Sequence, residues 1–388
     1  MIQIKGGKLV TEDGIIDSDV FVRKDRIIDI SRDQILHAGM VIDAKDCYVF
    51  PGFIDIHSDY IEHITAPRPQ SMMDFTLALR VAERELVTHG ITTMYHSLSF
   101  YKSGNKNGNP VRLKSNVEKL MNLITQAHHE KHLIRHRFHA RLEIDNLEGV
   151  EDLIDYIDNG HVHLLSFMDH TPGQGQYRDL EKYRSIRESY GSVFSDEGFE
   201  SYINKRQAVR RLTPEECKGI AEHAIRRGIP VASHDDDSHE KLKRNHEVGV
   251  RISEFPITID VAASAREMGY FTVAGAPNVL LGGSHSNNLC AHEAIGEGVI
   301  DILSSDYYPA AMLHSLFKLH REFGHPLHEV LKLLTLHPAM ALGIERDFGS
   351  IKKGKKADLL VVKLLENKFP VITSVLVDGD YVYETRYR

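Results

Sequence analysis

Hydrophobic and polar positions change rhythm twice along the chain. Over the first 50 residues, short alternating runs (IQIKGGKLV, GIIDSDVFVRKDRIIDI, MVIDAKDCYVF) are separated by turn residues and predict a small antiparallel sheet. The end of the chain, with KKADLLVVK and FPVITSVLVDGDYVYET, has the same character. Between these segments, apolar strand-like runs alternate with amphipathic helical stretches, the pattern of parallel βα units.

The strands of this middle region should end near His57, His96, Glu143, His170, His234, Glu254, the 273–284 region and Asp306. Helices fit between them over 73–89, 114–133, 148–158, 179–189 with 199–209, 214–227, 238–247, 258–268, 287–296 and 310–323. The helix after Thr213 is the best marked, since Thr213 offers an N-cap, Pro214 suits the first turn and Gly228 ends it. Eight strands of this kind predict an α/β fold, a (β/α)8 TIM-type barrel over 51–344. Residues 1–50 and 345–388 would together make a small composite β-sandwich domain.

Chemistry in such a barrel gathers where the C-terminal strand ends open into one mouth. The polar residues at the expected strand ends therefore form a site by position. In PGFIDIHSDY the apolar run Phe53 to Ile56 gives way to His57-Ser58-Asp59, and alternation along a strand would project His57 and Asp59 together. Glu143 ends FHARLEI, where Arg141 and Glu143 share a face; His170 ends HVHLLSFMDH; His234 opens SHDDDSHE; Asp306 ends VIDILSSDYYPA. Imidazole nitrogen with carboxylate oxygen suits borderline divalent metals, so His57, Asp59, Glu143, His170, His234 and Asp306 are the expected ligands of one or two ions. Zinc is expected first and manganese second. Asp306 is also the expected catalytic proton acceptor. Each of these residues alone would pass as a solvated loop residue or a helix cap; their common placement carries the reading. His128, His129, His132 and His136 lie in a stretch expected to be helical, and are read as a solvated face.

Composition narrows the partners. A net charge of -8 offers no general attraction to nucleic acid or an anionic membrane, and no run is long enough to span a bilayer. Three scattered cysteines, Cys47, Cys217 and Cys290, make neither a disulfide framework nor a paired zinc motif. A cytoplasmic protein is expected, with self-association into a homo-oligomer left open. Three segments suit phosphate: Arg68 on the stiff APRP loop, the glycine-rich Gly282-Gly283-Ser284-His285, and the flexible MDHTPGQGQY.

The opening PGFIDIH and the segment LTLHPAMALGIERDFGSIKKGKKADLLVV resemble the two ends of the amidohydrolase superfamily pattern. Most members carry His-x-His after the first strand, and many have a bridging carboxylated lysine; this chain has His57-x-Asp59, with Glu143 available as a bridge. The further segments HSDYIEHITAPRPQ, HARLEI, MDHTPGQGQ, SHDDDS and GGSHSNN are similar to the branch of that superfamily acting in phosphonate metabolism. The resemblance implies a hydrolase of phosphorus-containing acid anhydrides, acting on a small phosphorylated molecule. Its substrate would be α-D-ribose 1-methylphosphonate 5-triphosphate, with a metal-activated water attacking the α-phosphorus and pyrophosphate leaving. Arg68, Gly282, Gly283, Ser284 and His285 would then hold phosphates. The alternatives are a cyclic amide hydrolase or deaminase of the same superfamily, and a catalytically silent scaffold.

Overall fold

The computed structural model describes residues 1–32, 38–68, 71–99, 109–189, 194–283 and 289–388. The chain begins with strands β1 (Ile2–Val10), β2 (Ile15–Arg23), β3 (Arg26–Ser31), β4 (Met40–Asp43) and β5 (Tyr48–Pro51). Strands β6 (Phe53–Ser58), β7 (Ile91–Ser99), β8 (Arg135–Glu143), β9 (Leu164–Met168), β10 (Val231–His234), β11 (Ile252–Glu254), β12 (Phe271–Gly275) and β13 (Ile302–Ser304) follow, and β14 (Leu359–Leu364), β15 (Pro370–Val377) and β16 (Asp380–Glu384) end it.

The eight strands β6 to β13 pair in parallel and in sequence order. Every residue of β6 and β7 is buried, as expected of strands covered on both faces. The cylinder closes beyond β13: Ser58 bridges Asp306, the Asp306 amide donates to the His57 carbonyl (3.1 Å), and the Asp59 amide donates to the Asp306 carbonyl (2.7 Å). The first and last strand ends are thus stitched together at three residues expected in the site, His57, Asp59 and Asp306. Below, the helix Leu336–Ala341 plugs the barrel floor, with Ala339 and Leu342 packed among Ile54, Ile252 and Ile302.

The other sheet runs β16-β15-β14-β5-β1-β2-β3, with β4 beside β1, so strands from both chain ends share it. A buried ion cluster ties it to the barrel. Arg135 of β8 reaches Asp358 (2.9 Å) and Asp378 (2.6 Å) and lies over the Phe348 ring. The (β/α)8 barrel with a second sheet drawn from the termini agrees with the fold class expected from the pattern.

Most helices lie within a few residues of their expected spans. The one at Pro214–Arg226 has a full capping box between Thr213 and Glu216, followed by Gly228 in the left-handed region (φ 74°). Two departures are informative. The helix expected to reach residue 133 stops at Ala127, and His136 is not on a solvated helical face: it is fully buried on β8, where its Nε2 meets Glu83 and its Nδ1 meets His96 Nε2 (2.9 Å). The 273–284 region is a short strand to Gly275, then a helix, Ala276–Leu281.

Candidate active site at the barrel mouth

Two layers of polar side chains lie at the C-terminal ends of the strands. The lower layer is a closed hydrogen-bond network. His57 Nδ1 donates to Glu254 Oε1 (2.9 Å), and Ser166 Oγ donates to Glu254 Oε2 (2.6 Å). His139 Nε2 pairs in turn with Ser166 Oγ (2.6 Å), while its Nδ1 pairs with Ser97 Oγ (2.9 Å) and the Ile56 carbonyl (3.1 Å). Burial disfavours charge on His57, yet Glu254 raises its pKa above the usual imidazole value; burial keeps His139 neutral, with its pKa lowered to about 3. Glu254 is itself held well below the usual carboxylate range by the two imidazoles, against the effect of burial. With Nδ1 committed to Glu254, His57 keeps Nε2 for another partner, the arrangement in which a carboxylate orients a metal-binding imidazole.

The upper layer is not closed. His170 Nε2, His234 Nδ1 and Asp235 Oδ2 are buried without a hydrogen-bond partner. One ligand atom from each lies within 4.8 Å of the others. Asp235 Oδ2 is 3.0 Å from His234 Nδ1 and 3.7 Å from His170 Nε2. Three buried polar atoms facing one another with no donor or acceptor between them fit a divalent cation, which would satisfy all three. The other face of His170 is braced: Nδ1 donates to Glu143 Oε1 (2.5 Å), and the ring lies edge-on to Tyr177. Burial opposes charge on His170, but Glu143 and Asp235 raise its pKa to about 10.

A cavity of about 310 Å³ opens above these layers, and His57, Asp59, Arg141, His234, Asp235 and Asp306 are among the residues that line it. Apolar residues line it as well: Phe255, Pro256, Ile257, Pro277 and Leu289. Asp306 is raised above the usual carboxylate range by burial and by Asp59, although His57 and Arg141 oppose the shift. Three non-glycine residues at the mouth adopt left-handed backbone, Asp235 (φ 51°), Phe255 (φ 56°) and Asp306 (φ 59°), each directly after or near the end of a barrel strand. Such conformations persist only where the surroundings enforce them, and here they turn chain ends into the cavity. The Phe255 ring packs edge-on against both His57 (4.9 Å) and His234 (5.1 Å).

Of the expected ligands, His57, Asp59, His234 and Asp306 line one cavity, and His170 and Glu143 join it from the side through Asp235 and His234. The Asp59 carboxylate faces guanidinium groups: Arg141 Nη1 donates to it at 2.8 Å and Arg112 lies 3.6 Å away. Burial would raise the Asp59 pKa, but Arg141 and Arg112 bring it down to about 2. Arg68 is exposed beside Ser71, apart from the cavity-lining residues, whereas Gly283 is among them. Ser284 and His285 lie outside the described residues.

Sequence reading passed over Asp235, Glu254 and His139. Asp235 was hidden among the acids of SHDDDSHE, and Glu254 stood at an expected strand end without a role. His139 had a usable signal, since the alternation that pairs Arg141 with Glu143 extends one step back to it.

Comparison with known proteins agrees with this architecture. The Amidohydrolase family model matches residues 48–382. The alpha-D-ribose 1-methylphosphonate 5-triphosphate diphosphatase of Escherichia coli (strain K12) is 32% identical over 368 residues, covering 94% of this chain and 96% of that protein. The 5-methylthioadenosine/S-adenosylhomocysteine deaminase of Thermococcus onnurineus (strain NA1) is 22% identical, covering 97% of this chain and 88% of that protein. Among solved structures, dihydropyrimidinase from Brevibacillus agri NCHU1002 superposes with a TM-score of 0.67 at 14% identity, over 98% of this chain and 95% of that one, a likeness of fold. With the family model spanning barrel and second sheet alike, this chain belongs to the amidohydrolase family.

Proposed function

We propose that the protein is a metal-dependent diphosphatase that hydrolyses α-D-ribose 1-methylphosphonate 5-triphosphate to the 5-phosphate and pyrophosphate. The observation that carries this reading is the 32% identity, over nearly the full length of both chains, to a protein of that activity. The barrel mouth supports it, because the chain offers ligands for a hard or borderline cation beside a cavity of small-molecule size.

His170, His234 and Asp235 would hold a divalent ion, zinc in the first instance, with His57, Glu143 and Asp306 the further ligands at its edge. When bound, such an ion lowers the pKa of water and polarises a phosphoryl oxygen. Asp306 accepts the proton of the attacking water; its raised pKa makes it a better base than an exposed carboxylate. The oxygen adds to the α-phosphorus, the bond from that phosphorus to the bridging oxygen of the β-phosphate breaks, and the electron pair leaves with pyrophosphate. Glu254 and Ser166 hold His57 in one tautomer throughout, and Glu143 does the same for His170. Gly283 lines the cavity edge and an added Cβ there would meet nothing within 4 Å, so its backbone can approach phosphate oxygens, whereas the neighbouring Gly282 amide is given to the Asn278 carbonyl (3.1 Å). The apolar part of the lining, Pro256, Ile257, Pro277 and Leu289 among it, receives the uncharged part of the substrate.

Phosphorus NMR of the zinc-loaded protein with the ribose phosphonate triphosphate, set against ATP and a cyclic amide, tests the reading. Pyrophosphate and 5-phosphate should appear together. Release of single phosphate, or turnover of the cyclic amide alone, would overturn it.

A further inference from the structure

Among the described residues that line the cavity, Arg141 is the one that carries a permanent positive charge. It is 6% exposed, and it comes from a barrel strand, two residues before its C-terminal end, rather than from a loop. A guanidinium buried among metal-ligating groups is costly unless it has a counter-ion, and it repels any cation bound at His234. Its partners are specific. Nη1 donates to Asp59 Oδ1 at 2.8 Å, Nε donates to the Met168 sulfur at 3.1 Å, and Nη2 lies only loosely, at 3.4 Å, against His234 Nε2. Arg112 approaches the other oxygen of the same Asp59 carboxylate, Oδ2, at 3.6 Å, and is anchored behind by Glu62 at 2.8 Å. Two guanidinium groups therefore converge on one carboxylate at the rim of the reaction cavity. A carboxylate and a phosphoryl group present the same paired, anionic oxygens to an arginine fork.

We propose that Arg141 is the anion-binding residue of the cavity, assisted by Arg112, and that Asp59 is its internal counter-ion, displaced when a phosphoryl group of the substrate enters. This deepens the diphosphatase reading, on which it rests, by naming where the phosphate chain is gripped. It also gives Asp59 a role other than the metal ligand expected from His57-x-Asp59. The counter-ion keeps the empty subsite folded and neutral; the incoming phosphate takes over its hydrogen bonds, and the carboxylate turns away.

The two roles for Asp59 predict opposite signs. Inorganic pyrophosphate is titrated by calorimetry into the wild type, Arg141→Ala, Arg141→Lys and Asp59→Asn, each before and after loading with zinc, and the zinc content is measured by atomic emission. Arg141→Ala should weaken pyrophosphate binding by about tenfold or more, the worth of a charge-assisted hydrogen bond. Arg141→Lys should fall between, keeping charge but losing the fork. Asp59→Asn should tighten binding, because the competitor for Arg141 is gone, while zinc content stays at the wild-type level. Unchanged affinity in Arg141→Ala overturns the proposal, as does weaker binding with lost zinc in Asp59→Asn. Should Arg141→Ala fail to fold with Asp59 left unpaired, the Asp59→Asn arm still decides, since it removes the carboxylate and leaves the cation. The phosphorus NMR assay fails separately: an active diphosphatase whose pyrophosphate affinity ignores Arg141 refutes only the subsite, and an inactive protein with these affinity changes refutes only the substrate.

Discussion

Whether a polar residue at the barrel mouth serves as ligand, brace or counter-ion is decided by which of its atoms are already engaged. Glu254 has both oxygens occupied and no exposure, so it acts through His57 rather than on a substrate. Glu254→Gln should weaken zinc binding by about 10- to 100-fold, as expected for loss of a carboxylate that orients a ligating imidazole; a chelator competition titration measures it, and unchanged affinity would place His57 outside the metal site. Asp306 is the reverse case, a carboxyl that lines the cavity and is kept more basic than usual by burial. Asp306→Asn should lower kcat by about 10² or more while the thermal melt stays cooperative. Wild-type turnover in a zinc-replete Asp306→Asn protein would remove its role as base.

At the scale of elements, the site depends on how strands end. Asp235, Phe255 and Asp306 take left-handed backbone where a helix or loop must leave the sheet sharply, and the turn aims their neighbours inward. That geometry comes from ladder bonds to the adjacent strand, such as the Asp235 amide to the Glu254 carbonyl (2.8 Å) and the Phe255 amide to the Val273 carbonyl (2.9 Å). Helix starts are controlled more locally. Thr213 and Glu216 cap the helix packed behind β10, and Thr213→Ala should cost about 1 kcal/mol in a denaturant melt without altering zinc content. A loss of zinc in that variant would mean that the cap positions His234 as well as the helix.

For the whole molecule, partly buried imidazoles govern the response to pH. Burial, aided by nearby imidazole or guanidinium groups, lowers the pKa of His89 to about 4, of His128 to about 4 and of His163 to about 3. Below an ordinary imidazole pKa of about 6.5 the unfolded chain therefore takes up protons that the folded protein refuses. Their contribution to stability is complete above that pH and is lost as pH falls towards 4 and 3. His170 runs the other way: its raised pKa adds stability that is fully present below about 6.5 and fades as pH rises towards 10, so it does not offset the acid loss. The urea midpoint of chelator-treated protein should therefore drop steadily from pH 6.5 to pH 5. A flat profile across that range would contradict the neutral state of these half-buried histidines.

Local chemistry made much of this protein legible in its sequence. Continuous apolar runs with polar ends mark strands buried on both faces, and their alternation with amphipathic helices dictates a parallel barrel. His57, His234 and Asp306 could be placed at its mouth for the same reason, because a polar residue closing such a run has no other place to go. The tertiary structure alone decided the partners. Whether Asp59 meets a cation or Arg141, whether His139 is a ligand or a brace for Glu254, and whether His136 is solvated or buried against Glu83 all depend on residues tens to hundreds of positions away. Sequence spacing carries directions along one strand; the distances between strands, and hence which charges neutralise one another, exist only once the barrel has closed.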